Sequence, residues 1–207
     1  MKAKRHMIPV IVILLLVVLL VAAYQLFRFP TLFRHLSDQS LPKEQVEILK
    51  NDIAAKDAKK VLVAYFSYSG TTQRVANELS AEIGADLFEI TPQTPYSNVY
   101  LGSNMELRRG ERPSLADTVT DMEQYDVVFI GYPVWFHATP APINTFLDSY
   151  DLNGKLIIPF CTSGSSDISE TMPTFLDSCD NLAVYGEKRL TGAGAVSGWL
   201  DELALNF

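Results

Sequence analysis

Three short stretches hold the side chains of this sequence that can do chemistry. In Ser67-Tyr68-Ser69-Gly70-Thr71-Thr72, four hydroxyls surround one glycine, a residue free to take positive φ. Hydroxyls aimed at one point, together with the unpaired amides of a helix start, make a site for a phosphate. An ordinary strand-to-helix turn with a Ser or Thr cap has the same composition, so this turn alone leaves both readings open. In Gly131-Tyr132-Pro133-Val134-Trp135-Phe136-His137, rigid and aromatic residues cluster where a strand ends. Aromatic rings on a turn call for a partner to cover them, and a flat apolar ring is one such partner. Thr162-Ser163-Gly164-Ser165-Ser166 repeats the hydroxyl-and-glycine character of the first stretch, with small residues that let backbone amides approach a ligand closely.

The elements that must position these stretches alternate along the chain. Val61 to Phe66 is an unbroken apolar run, as a strand buried on both faces of a parallel sheet requires. Val75, Ala76, Leu79 and Ile83 recur at helical spacing and predict a helix over Thr72–Ile83, stopped by Gly84. Asp86 to Ile90 reads as a short strand, then Thr91 to Leu115, with Pro92, Pro95 and Pro113, as a long irregular segment. Loops of that length in a compact domain tend to be functional or partly ordered covers. Tyr96 and Tyr100 within it either shield a ligand or pad the loop against the sheet. Val127 to Ile130 is a buried strand, and Pro140 and Pro142 open a helix that ends near Tyr150. Lys155 to Cys161 reads as a strand, Asp167 to Ser178 as a helix, Leu182 to Tyr185 as a strand, and Val196 to Leu205 as a helix. Five strand–helix alternations predict an α/β, doubly wound five-stranded parallel sheet.

In the strand order 2-1-3-4-5, the first, third and fourth strands are neighbours, and a ligand lies in the crevice outside their carboxyl ends. The three special stretches follow these three strands, so they are expected to converge. A phosphate cradle, an aromatic platform and a small polar loop together describe a mononucleotide site. Other nucleotide sites lack their signatures: no G-x-G-x-x-G follows the first strand, and there is no G-x-x-x-x-G-K-[ST]. Nor is there a G-x-S-x-G elbow, and the first strand lacks the acidic cluster of a phospho-acceptor domain.

At these residues the chain resembles the flavodoxin-like family, whose phosphate loop runs hydroxyl-x-hydroxyl-Gly-x-Thr. The resemblance extends to Gly131–Trp135 and to Phe160-Cys161-Thr162-Ser163-Gly164, over roughly residues 60–207. It is similar to the branch with a long insertion after the second strand, where Arg112-Pro113 also fits. The resemblance implies FMN as cofactor, with Ser67, Tyr68, Ser69, Gly70, Thr71 and Thr72 at its phosphate. It implies Trp135, supported by Pro133, Val134 and Phe136, beside the ring, and Thr162, Ser163, Gly164 and Ser165 at the ring's polar edge. Ser67 stands where many relatives have Thr, and His137 where many have Gly or another small residue. A histidine there would either stabilise a reduced anionic ring or cap the loop.

The N-terminus is of another kind. From Ile8 to Phe27 only Pro9, Tyr24 and Gln25 interrupt the apolar residues, a length that spans a bilayer core of roughly 30 Å. Lys2, Lys4 and Arg5 precede it. A signal peptide shares that charged start, and Val21-Ala22-Ala23 resembles a processing site, yet the run exceeds a signal core of ~7–15 residues. An N-terminal transmembrane helix within residues 1–27 is therefore expected, then a tether over 28–58 whose Lys43–Lys56 forms a mostly exposed helix, then the domain over 59–207. Three basic residues before the run against Arg28 and Arg34 after it place the domain outside the cytoplasm. Residues 1–58 carry 8 basic and 5 acidic residues, a net +3, and residues 59–207 carry 9 and 19, a net −10. An acidic domain repels nucleic acid. Cys161 and Cys179 are too few for a disulfide framework or metal site. A helix between them would separate them by ~15 Å, so two free thiols are expected, a feature that argues the other way on compartment.

The reading that follows is a membrane-anchored FMN redox protein. It passes electrons to a partner protein or, as a reductase, from NAD(P)H to a small quinone-like acceptor. The alternatives are a binding module that keeps the pocket without catalysis, and a hydrolase, for which no nucleophile–base pair is visible.

Overall fold

The computed structural model describes residues 2–178 and 180–207, with side chains from residue 10 onward. Cys179, and with it half of the thiol expectation, lies outside the described residues. Six parallel strands form one sheet: β1 (Val61–Tyr65), β2 (Asp86–Glu89), β3 (Val127–Pro133), β4 (Leu156–Thr162), β5 (Ala183–Val184) and β6 (Lys188–Leu190). Their order is β2-β1-β3-β4-β5, as expected, with β6 also pairing β4. The fifth strand position is thus filled by two pieces. β5 pairs Leu156 and Ile157, β6 pairs Phe160 to Thr162, and Gly186 at φ 62° takes the bend between them.

Helices cover both faces, which is why β1 and β4 are buried at every position. α2 (Lys43–Ala54), α3 (Thr71–Ile83) and α7 (Val196–Leu203) close one face, burying Val46, Ile53, Leu79 and Trp199 against Val63, Phe129 and Ile158. α5 (Ala141–Asp148) and α6 (Met172–Phe175) close the other, with Ile143, Phe146 and Phe175 against Leu62, Ile130 and Ile157. The apolar N-terminal run forms α1 (Lys2–Arg28), whose described side chains are exposed nearly all round. Its stretch Val10–Arg28 is long and apolar enough to cross a membrane.

Three segments differ from expectation. The insertion contains a helix, α4 (Val99–Arg109), capped by the Asn98 side chain on the Leu101 amide at 3.1 Å and stopped by Gly110 at φ 66°. Its ends meet, since the Gln93 amide bonds the Ser114 carbonyl and the Ala116 amide bonds the Thr91 carbonyl. The segment Asp167–Ser178 holds only a 3-10 turn at Ile168–Glu170 and the single turn α6. Here the Thr171 and Thr174 hydroxyls donate to the Ile168 and Thr171 carbonyls, a competition that weakens helix. The segment before the domain is also fastened rather than free. Val46 and Ile53 of α2 are buried in the core, and the Leu41 amide donates to the Leu182 carbonyl at 2.8 Å, continuing the sheet edge.

Gly131 shows how closely the central strands fit. It pairs with Phe160 in the β3–β4 register, and a Cβ there would lie 2.2 Å from the Phe160 ring. Gly131→Ala is expected to cost about 1–3 kcal/mol by overpacking, read as a lower denaturation midpoint with an unchanged slope.

Candidate functional site

β1 delivers the first stretch to the carboxyl edge of the sheet. The Phe66 amide still bonds the Gly131 carbonyl, and the chain then turns through Ser67 to Gly70. Gly70 takes φ 80° and ψ 0° as the residue before α3, and no side chain caps that helix. The four hydroxyls are therefore not spent on capping. Ser67 Oγ is buried with no hydrogen-bond partner, a costly state for a hydroxyl unless a ligand completes it. One cation stands beside the turn: Arg74 donates to Thr71 Oγ1 at 3.3 Å, with its guanidinium 3.6 Å from the Cβ that Gly70 lacks. Sequence reasoning missed Arg74. A cation in the first turn opposes the helix dipole, and that conflict is the signal in the sequence that could have singled it out.

The three stretches meet. Thr72 Oγ1 and Thr162 Oγ1 lie 2.8 Å apart in a buried pair that fastens the first loop to the third. The Val134 amide donates to the Thr162 carbonyl at 3.1 Å, fastening the second to the third. Trp135 makes edge contacts with Phe66, Tyr68 and Tyr96 at centroid separations of 5.2, 5.9 and 5.4 Å, joining the second to the first and to the insertion. Ser67 to Thr71 and Trp135 thus open on one edge, while Thr72 and Thr162 act as the staple beneath. Pro133 belongs to β3 itself. In the third loop, Ser163 Oγ accepts the Ser165 and Ser166 amides, and Gly164 stays open above them. Tyr96, half-buried and donating to Glu106 at 2.6 Å, pads the insertion against Trp135.

The turn Trp135–Ala138 is strained. Its end residues exchange backbone hydrogen bonds at 3.2 and 2.9 Å, and both central residues have positive φ, Phe136 at 50° and His137 at 59°. A two-residue turn of this kind favours Asn-Gly, and each non-glycine residue there costs about 1–3 kcal/mol. Contacts from elsewhere hold it. His137 Nδ1 bonds the Glu170 carboxylate, Arg28 Nε donates to His137 Nε2 at 3.0 Å, and the Phe29 ring stacks on the imidazole at 4.6 Å. Both ring nitrogens are engaged, so His137 caps the loop and does not offer a free nitrogen to a ligand. The His137 hydrogen bond, followed by the Asp167 amide, holds the Glu170 carboxyl below its ordinary range.

Two cavities flank Tyr68. One of about 160 Å³ is lined by Phe66, Ser67, Glu89 and Ile90. The other, about 420 Å³, lies between Val134, Trp135 and Phe136 on one wall and Val99, Tyr100 and Ser103 of α4 on the other. A cavity of about 500 Å³ under residues 93–98 belongs to the insertion and touches none of the three loops. Cys161 is a free, buried thiol, its pKa pushed up to about 12 by burial and then by Asp167. Among the described residues no group of His, Cys, Asp and Glu could hold a metal.

An α/β sheet with three converged loops at its carboxyl edge places the chain in the doubly wound class, whose ligand crevice lies at that edge. The flavodoxin family model matches residues 60–203, and the chain belongs to the flavodoxin family. Among solved structures it is similar to a candidate flavoprotein of Bacteroides eggerthii DSM 20697, with 38% identity and a TM-score of 0.63 over 71% of this chain and 99% of that one. It is also similar to a flavoprotein of Lactobacillus acidophilus NCFM in complex with FMN, with 28% identity and a TM-score of 0.59 over 69% and 99%. An NAD(P)H dehydrogenase (quinone) of Acidovorax ebreus strain TPSY is 27% identical over 139 residues, 61% of this chain and 67% of that protein.

The Thr72–Thr162 staple gives a direct test of loop convergence. Thr72→Val or Thr162→Val alone leaves a buried hydroxyl unpaired and is expected to cost about 1–3 kcal/mol. The double variant should recover much of that loss in a double-mutant cycle; additive losses would show that the hydroxyls are not coupled.

Proposed function

We propose that the domain holds FMN at the three-loop crevice and transfers electrons from a reductant to a quinone-type acceptor, held at a membrane by α1. The observation that carries this reading is the buried, partnerless Ser67 hydroxyl beside Gly70 and Arg74, on the same edge as Trp135. The family, and the FMN and quinone named for two relatives, support it.

The residues present fit the group. Ser67, Ser69 and Thr71, the uncapped amides of α3 and the Arg74 charge would hold the phosphate. Trp135 and Tyr68 would flank the ring and exclude water, and Gly164 gives its polar edge close access to backbone. Bound FMN supplies the two-electron chemistry. In net terms a hydride from a nicotinamide and one proton from solvent convert quinone to quinol. The chain's part is to fix the ring, leave one side open and keep the crevice dry, since hydride transfer needs access more than a dedicated acid or base.

The anchor reading rests on α1. Its 19 residues from Val10 to Arg28 extend ~28 Å at 1.5 Å per residue, and its described side chains bury nothing in the domain before the last turn. A core helix would be buried, and a bilayer is the remaining apolar partner.

The full chain purified in detergent is expected to be yellow, with flavin absorbance released by denaturation as FMN. Ser67→Ala should weaken FMN about ten- to hundredfold, the loss of a hydrogen bond to a charged group, while leaving the cofactor-free protein at least as stable. Protein that stays colourless with added FMN would sink the assignment. Steady-state NADPH oxidation with a quinone, beside stopped-flow single-electron reduction, separates reductase from carrier.

A further inference from the structure

The end of α1 does not leave the domain on a slack linker. Asn104 Nδ2 donates to the Phe27 carbonyl at 2.6 Å and Arg108 to the Leu26 carbonyl at 2.7 Å, so α4 caps the last turn of the apolar helix directly. Phe27 packs edge-on against Phe136 at 5.5 Å, and Arg28 bonds His137. The 420 Å³ cavity adjoins this junction: Phe136, which packs on Phe27, lines one wall, and Tyr100, one turn before Asn104 on α4, lines the other.

Around this junction the surface is apolar. Residues 101, 104, 105 and 108 share one stripe of α4, so exposed Leu101 and Met105 flank the two side chains that hold α1. Arg34, which directly follows Leu32 and Phe33 in the chain, donates to the Leu107 carbonyl of α4 at 3.0 Å. Phe33 is 82% exposed, Tyr100 69% and Leu32 60%, large apolar side chains that water does not favour. Arg28 and Arg108 stand at the end of α1 itself, in a domain otherwise net acidic, where lipid phosphates would favour cations.

We propose that this face is a bilayer-docking surface, with Phe33, Leu101 and Tyr100 in the interface, and that the acceptor enters the cavity from lipid as a membrane-dissolved ring compound. The proposal rests on the reading of α1 as a retained span. A span whose final turn is bonded to α4 leaves the domain no room to stand off from the membrane. The same seating closes this face to a bulky soluble redox protein.

The full chain in phosphatidylcholine nanodiscs, with or without brominated acyl chains, tests it. Phe33→Trp and Leu101→Trp are expected to add emission that brominated lipid quenches about twofold, as for a ring held ~5–10 Å deep. Glu82→Trp, at the opposite edge of the sheet, should add emission that is not quenched. Leu16→Trp, within the span, should be quenched strongly. Quenching at residue 16 with none at 33 and 101 overturns the docking surface and leaves the anchor standing, whereas no quenching at residue 16 overturns both. Phe33→Asp with Leu101→Asp should slow reduction of a long-tailed quinone several-fold and leave a short-tailed, water-soluble one unchanged. An equal effect on both quinones, or protection of 33 and 101 by a soluble partner protein, overturns lipid entry.

Discussion

The parallel register of β1, β3 and β4 is the constraint on which the rest depends. Tyr65 pairs with Gly131 and Gly131 with Phe160, and β3 and β4 then run two residues further side by side, to Pro133 and Thr162, with neighbouring strands ~4.8 Å apart. That spacing brings Thr72, two residues beyond Gly70, to the hydroxyl of Thr162 at the end of β4, and the Val134 amide to the carbonyl of the same residue. A slip of one residue in β4 would turn Phe160 away from Gly131 and Thr162 away from Thr72. Close packing at Gly131 blocks that slip: only a hydrogen leaves room for the ring. The crevice is thus a consequence of strand packing.

The crevice stores strain on one side. Phe136 and His137 occupy left-handed backbone positions that glycine would take more easily, and contacts from Glu170, Arg28, Phe27 and Phe29 hold them there. Three of these four partners lie at the end of α1. The turn beside the cavity is therefore shaped by residues outside the family-matched stretch. A glycine at 137 would relax the backbone and lose the stacked ring, so the histidine exchanges local ease for a bond to the N-terminal segment.

The strands were legible because burial on both faces writes itself as an unbroken apolar run, as in Val61–Phe66 and Leu156–Cys161. The hydroxyl turn was legible as a site only beside the other two stretches, because an ordinary capped strand-to-helix turn has the same composition. α4 was hidden because its buried face uses Ser103 and Asn104 beside Leu107, so apolar spacing gives no helical period; only Asn98 and Gly110 marked its ends. The burial of α2 rests on two apolar residues seven apart, Val46 and Ile53, a signal shared by any solvated helix. The positive φ of Phe136 and His137 left no mark in composition, since tertiary contacts impose it.

The segment between Phe27 and Leu41 decides how the apolar helix and the domain relate. A flexible linker of this length would let the domain sample many orientations. Instead Arg34 pairs with Asp177 at 2.8 Å, the Ser37 amide bonds the same carboxylate at 2.9 Å, the Gln39 amide bonds the Leu176 carbonyl, and Leu41 joins the sheet edge. Each bond alone is modest in net terms, about 0.5–1.5 kcal/mol for a neutral pair. Spaced two to three residues apart, they remove the slack that any one of them would leave. A ligand crevice with this wall has a fixed heading relative to α1, and its open side is set by the same residues that hold the strained turn.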